Sequence, residues 1–130
     1  RELHAFIVDL TQEGVLCRQE SVSMLPPLFL QAEKDDLVLD MCAAPGSKTM
    51  QILEKVHTGT GAVIANDANE RRARMLINQT SRMLSNHIAV TSHLGQNYPS
   101  LGDSLFDKVL CDVPCSGDGT LVCILTPLHE

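Results

Sequence analysis

Apolar residues in this chain gather into short runs, and several of the runs end on a carboxylate or an amide. Leu37-Val38-Leu39 ends on Asp40, Ala62 to Ala65 ends on Asn66 and Asp67, and Phe106 to Leu110 is followed by Cys111 and Asp112. Together with Ile88 to Thr91, these runs read as four short strands of the kind buried in a parallel sheet. Between them the period changes to that of a helix, over Ser47 to Val56 and again over Ala68 to Leu84. In the second, Ala73, Leu76, Ile77, Thr80, Met83 and Leu84 share one side, while Glu70, Arg71, Arg74, Asn78 and Arg82 take the other. His57 to Gly61 is a turn cluster, and Gly95 to Gly102 is a loop holding the single tyrosine, Tyr98. Strand, helix, strand, helix, strand, strand predicts right-handed crossovers and a doubly wound α/β sheet, with ligands at the carboxyl ends of its strands.

The flanks are less periodic. Arg1 to Gly14 reads as a short strand or helix around Ala5-Phe6-Ile7-Val8. From Arg18 to Leu30 a helical pattern would put Val22, Leu25, Phe29 and Leu30 on one face, with Pro26 and Pro27 breaking it or opening a second helix. The expected organisation is an N-terminal segment over 1–36, a core over 37–120 and a tail over 121–130. That tail is too short for another helix and strand, so a sheet stopping here is expected to leave an exposed edge.

Composition changes this picture in two respects. With 44% hydrophobic and 20% charged residues in 130, the chain has the make-up of one globular domain, but its net charge of −6 argues against a free-standing nucleic-acid binder. If RNA is the substrate, most of the electrostatic grip is expected outside this chain. The five cysteines, Cys17, Cys42, Cys111, Cys115 and Cys123, are odd in number and sit in apolar surroundings, which fits reduced, intracellular thiols. A zinc site built on Cys111, Cys115 and Cys123 lacks a second pair and a well-spaced histidine, so no metal is expected. No run is long enough to span a membrane, and an opening on Arg-Glu-Leu-His is the one expected of an excerpt.

The chemistry gathers where the first strand ends. Asp40 is followed by small residues, a Pro-Gly pair and a helix start, a turn that lets a ligand approach the backbone and offers it free N–H groups. Gly46-Ser47-Lys48-Thr49 lacks the earlier glycine of a phosphate loop, and no Gly-x-Gly-x-x-Gly occurs, so a mononucleotide-like cofactor without a pyrophosphate fits better. Asp67 stands where an acidic residue accepts hydrogen bonds from ribose hydroxyls; it can equally cap the next helix. Asp40 touches ligand or orients the turn. Cys115 is a reactive thiol, with Lys48 lowering its pKa, or a small buried hydrophobe, as expected of Cys42 and Cys111. Asp112 can accept from the amino group of a cytosine. Arg71, Arg72 and Arg74 read as a solvated face.

Three separated motifs resemble those of the NSun family of RNA (cytosine-5) methyltransferases, in particular its eukaryotic tRNA-type branch. They are Asp40-Met-Cys-Ala-Ala-Pro-Gly-Ser-Lys-Thr49, Ala65-Asn-Asp67 and Cys111-Asp-Val-Pro-Cys-Ser-Gly-Asp-Gly-Thr120, and Arg18-Gln-Glu-Ser-Val-Ser-Met-Leu-Pro-Pro27 is similar to the family segment before the first strand. The resemblance implies a Rossmann-like fold that binds S-adenosylmethionine. Cys42, Ala43, Ala44, Pro45, Gly46, Ser47 and Lys48 would surround its methionine part, with Asp67 on the ribose and Asp112 near the reacting end. It also implies that a cysteine adds to carbon 6 of cytosine, carbon 5 takes the methyl group, and Cys115 assists release, while Lys48 and Asp112 orient the base. The implied partner is RNA, in particular tRNA, and the implied compartment is the nucleus, nucleolus or cytoplasm.

Two departures bear on activity. The family nucleophile lies in a Thr-Cys motif, and no Thr-Cys pair occurs in these 130 residues, so the chain alone is expected to be inactive. The family's acidic contact to adenine falls at Leu94. A non-catalytic, cofactor-binding module is therefore one rival reading. A DNA cytosine methyltransferase is another, disfavoured by Ser-Gly-Asp-Gly after Pro114-Cys115.

Overall fold

The computed structural model describes residues 2–13, 15–99 and 105–113. Helix α1 (Glu2–Gln12) leads through a short 3-10 turn (Val22–Met24) to α2 (Leu25–Leu30). Strand β1 (Leu37–Asp40), α3 (Ser47–Val56), β2 (Ala62–Asn66), α4 (Glu70–Thr80), β3 (Ile88–Thr91) and β4 (Lys108–Leu110) follow in order. The strands form one parallel sheet in the order β3-β2-β1-β4, with Leu39 in register with Ile64 on one side and Val109 on the other. Strand order reverses between β1 and β4, which opens a crevice at their carboxyl ends. The two strands are also tied at their starts, because Leu37 N donates to Asp107 Oδ2 at 2.8 Å and Asp107 N donates to Leu37 O at 2.9 Å.

The expected alternation of strands and helices is thus the observed one, and the core explains why. In α3, Thr49, Ile52, Leu53 and Val56 recur at helical spacing and are buried against Val38 and Val63 of the sheet. Each fully buried aliphatic side chain there contributes roughly 1.5–3 kcal/mol of transfer free energy. From the other helix, Ala73, Leu76 and Thr80 are buried, but Ile77 and Leu84 are 49% and 91% exposed, contrary to their expected place on the inner face. Helix α4 is shorter than its periodicity suggests. Asn69 Oδ1 caps it by accepting from the N–H groups of Arg71 and Arg72, and beyond Thr80 a 3-10 turn (Ser81–Met83) ends at Leu84 with φ 48°.

The N-terminal segment differs more. The first stretch is helical, and α2 places Pro26 and Pro27 in its first turn, where no backbone donor is needed. Val22, Leu25 and Phe29 do not share a buried face, being 72%, 48% and 82% exposed, whereas Pro27 is buried and α2 lies against α3 and β4. A six-residue helix makes too few turns for periodicity to identify its inner side. Among the described residues β3 and β4 are the outermost strands.

Candidate functional site

The crevice is built from the turn after β1. Gly46 has φ +112°, and a Cβ there would lie 2.8 Å from Leu76 Cδ1, so only glycine lets the turn pack this closely on α4. Gly46 also caps α3 without a side chain, leaving the first-turn N–H groups of the helix facing the crevice. Behind this turn lies Asp40, 1% exposed, whose Oδ2 accepts from Thr49 Oγ1 at 2.7 Å. Burial pushes its carboxyl up to about 6, against the pull of the Thr49 hydrogen bond and of Lys48. Lys48 Nζ in turn pairs with Asp112 Oδ2 at 2.7 Å, joining the start of α3 to the end of β4. Asp112 keeps half of its side chain exposed, so it can accept a further donor from the crevice.

Asp67 lies at the end of β2 and is 3% exposed. Its Oδ1 accepts from Asn69 N at 3.0 Å, and its Oδ2 accepts from Ala44 N at 3.3 Å. Helix capping therefore belongs to Asn69, and Asp67 joins β2 to the β1–α3 turn. The expectation for Arg72 is overturned. Its Nη2 donates to Ala44 O at 2.6 Å and lies 3.3 Å from Asp67 Oδ2, so it is a member of the site and not of a solvated face. Its place one turn into a helix whose cap follows Asp67 by two residues was the available signal, because such a helix turns its first residues back toward the strand end.

Two chambers of about 460 Å³ each open along the crevice and share Cys42, Arg72 and Val113. The polar one is lined by Asp40, Ser47, Lys48 and Asp112, with Arg18 and Glu20 as its far wall. Those two residues, in the segment before β1, had no assigned role in the sequence. The apolar chamber is walled by Met41, Leu94, Cys111 and Val113, with Asp67 at its base. Of the remaining turn residues, Ala43, Ala44, Pro45 and Ser47 line the polar chamber, whereas Gly46 is buried behind them. Cys42 is half-buried, and burial, followed by the charges of Asp67 and Asp40, raises its pKa. Cys111 is exposed, contrary to its expected burial; it follows β4, which is an outermost strand among the described residues. Cys115 lies outside the described residues.

The groove therefore suits a ligand that is charged at one end and more apolar at the other. Comparison with known proteins gives this shape a context. The family model for 16S rRNA methyltransferase RsmB/F matches residues 27–123. The tRNA (cytosine(34)-C(5))-methyltransferase of Drosophila melanogaster is 45% identical over 92% of the chain, which covers 18% of that protein. The multisite-specific tRNA:(cytosine-C(5))-methyltransferase of Saccharomyces cerevisiae is 46% identical over 89% of the chain and 19% of its own length. Among solved structures, NSun6 from Pyrococcus horikoshii with SFG superposes with a TM-score of 0.73 at 30% identity, covering 82% of this chain and 27% of that one. The chain thus spans about a fifth of the length of these curated relatives. Matched along most of its length, it belongs to the RsmB/F methyltransferase family, and within it to the NSun group of RNA (cytosine-5) methyltransferases.

Proposed function

We propose that this chain is the cofactor-binding half of an S-adenosylmethionine-dependent RNA cytosine-5 methyltransferase that acts on tRNA in the nucleus, nucleolus or cytoplasm. The observation that carries the reading is the two-chambered groove at the β1–β4 reversal, with the Lys48–Asp112 ion pair in its polar half and an apolar slot in the other. When bound, the cofactor supplies an electrophilic methyl group.

The residues present divide the remaining tasks. Backbone N–H groups at the start of α3, with the turn from Cys42 to Lys48, receive the amino-acid end of the cofactor. Asp67, held by Arg72 and Ala44, would meet its ribose, and Met41, Leu94 and Val113, which line the apolar chamber, would enclose its base. Lys48 holds the Asp112 carboxylate toward the open side of the crevice, where it accepts from the amino group of a cytosine and orients the ring. Cys115, three residues beyond Asp112, is the thiol assigned to product release. The absence of a Thr-Cys pair supports a second reading for the chain by itself, a cofactor-binding module without turnover.

Calorimetric titration of the chain with S-adenosylhomocysteine tests the reading. Saturable binding is expected, weakened at least about tenfold by Asp67→Ala, since a buried charge-assisted contact is worth a factor of that order. A cooperatively melting chain that gives no heat of binding overturns it.

A further inference from the structure

We infer that Asn66 is the positioning residue of the apolar base slot, setting the distance between its two walls. This rests on the reading of the groove as a nucleoside-cofactor site. Asn66 is fully buried at the last position of β2, and an amide there has two hydrogens to donate and one oxygen to accept with. All are used. Nδ2 donates to Met41 O at 3.0 Å and to His93 O at 2.9 Å, while Oδ1 accepts from His93 N at 2.9 Å and Thr91 Oγ1 at 3.0 Å.

The position of these bonds gives them their consequence. Register pairing runs from Leu37 with Ala62 to Asp40 with Ala65 on one side, and ends at Asn66 with Thr91 on the other. Beyond those registered pairs the residues of the three chain segments, Met41, Asp67 and Leu94 among them, line the slot. The Asn66 amide bridges the first gap: its paired bonds with the His93 peptide imitate a rung of the ladder, and its bond to Met41 ties in the end of β1. Met41 and Leu94, the neighbour of His93, both line the slot, and a Cβ on Gly95 would lie 3.6 Å from Met41 Cγ and Sδ. The walls thus approach each other at their base, where the Asn66 side chain acts beside backbone bonds from Ala43 N to Asn66 O at 2.7 Å and from Asp67 N to Thr91 O at 3.2 Å. In a slot that grips by contact, an increase of a fraction of an ångström in that gap removes much of the attraction.

The discriminating comparison uses S-adenosylhomocysteine and S-ribosylhomocysteine, the second carrying an anomeric hydroxyl in place of the base, titrated into the chain and into Asn66→Ser. The chain is expected to bind the first more tightly, and Asn66→Ser to reduce that preference about tenfold, with little change for the second ligand. Thr91→Val, which removes one of the four bonds, is expected to shift the preference in the same direction by less, and carries the test if Asn66→Ser does not fold. An unchanged preference in both folded variants, whether affinity is kept or lost for both ligands in proportion, overturns the positioning role. Equal binding of the two ligands by the unmodified chain overturns it as well, while leaving the cofactor site standing. No binding of either ligand removes both readings.

Discussion

Asp40 sits behind the Lys48–Asp112 pair, and its carboxyl is held near 6 by burial, above its unfolded value of 3.8. Between those values the folded chain binds more protons than the unfolded one, so this group's contribution to stability falls as pH rises through that window and is least above it. A difference of that size corresponds to about 3 kcal/mol at most. Asp40→Asn preserves an acceptor for Thr49 Oγ1 and removes the buried charge. The variant is expected to exceed the unmodified chain in unfolding free energy at pH 8 by about 1–3 kcal/mol, with the advantage shrinking toward pH 4. Urea unfolding at several pH values measures this, and a pH-independent difference would show that the buried charge is not its source. Asp67, equally buried, is surrounded by donors from Ala44, Asn69 and Arg72.

At the scale of the element, α4 depends on a cap that also aims a site residue. Asn69 accepts from the N–H groups of Arg71 and Arg72, and Arg72 then reaches Ala44 and Asp67. Asn69→Ala is expected to cost about 1 kcal/mol in thermal unfolding, and to weaken binding of S-adenosylhomocysteine because the first turn of α4 no longer holds its direction. A stability loss with unchanged affinity would separate the cap from the site. The same helix shows which parts of the molecule were legible in the sequence. The strands and α3 were, because their apolar residues form short runs or recur with one period, and in β1, β2 and α3 most of them are buried. The ends of α4 were not, because a capping asparagine at its start and a left-handed residue at Leu84 cut short a pattern that apolar spacing alone extends. Arg72 was missed for a related reason: charge on a helix surface says nothing about which carboxylate lies behind it. In α2, packing against α3 and β4 buries a proline while the larger apolar residues stay exposed, and no local period encodes that.

For the whole molecule, charge and motif content argue together. A net charge of −6 leaves little basic surface for RNA, and no Thr-Cys pair is present to supply the nucleophile. The chain is therefore expected to bind S-adenosylhomocysteine yet transfer no methyl group from labelled S-adenosylmethionine to unmodified tRNA. Incorporation of label that survives removal of the RNA-free background, and that is lost in Lys48→Ala, would overturn the inactive reading. Sheet topology also bears on when the groove can exist. Leu37 is bonded to Asp107 across 70 positions, so β1 waits for the last described strand to reach its second neighbour. A polypeptide leaving the ribosome can assemble β1, β2 and β3 early, but Lys48 has no Asp112 and the slot no Val113 until β4 arrives. Ligand affinity is then linked to the docking of that strand, and a bound nucleoside acts as a late clasp that favours the completed sheet over the three-stranded one.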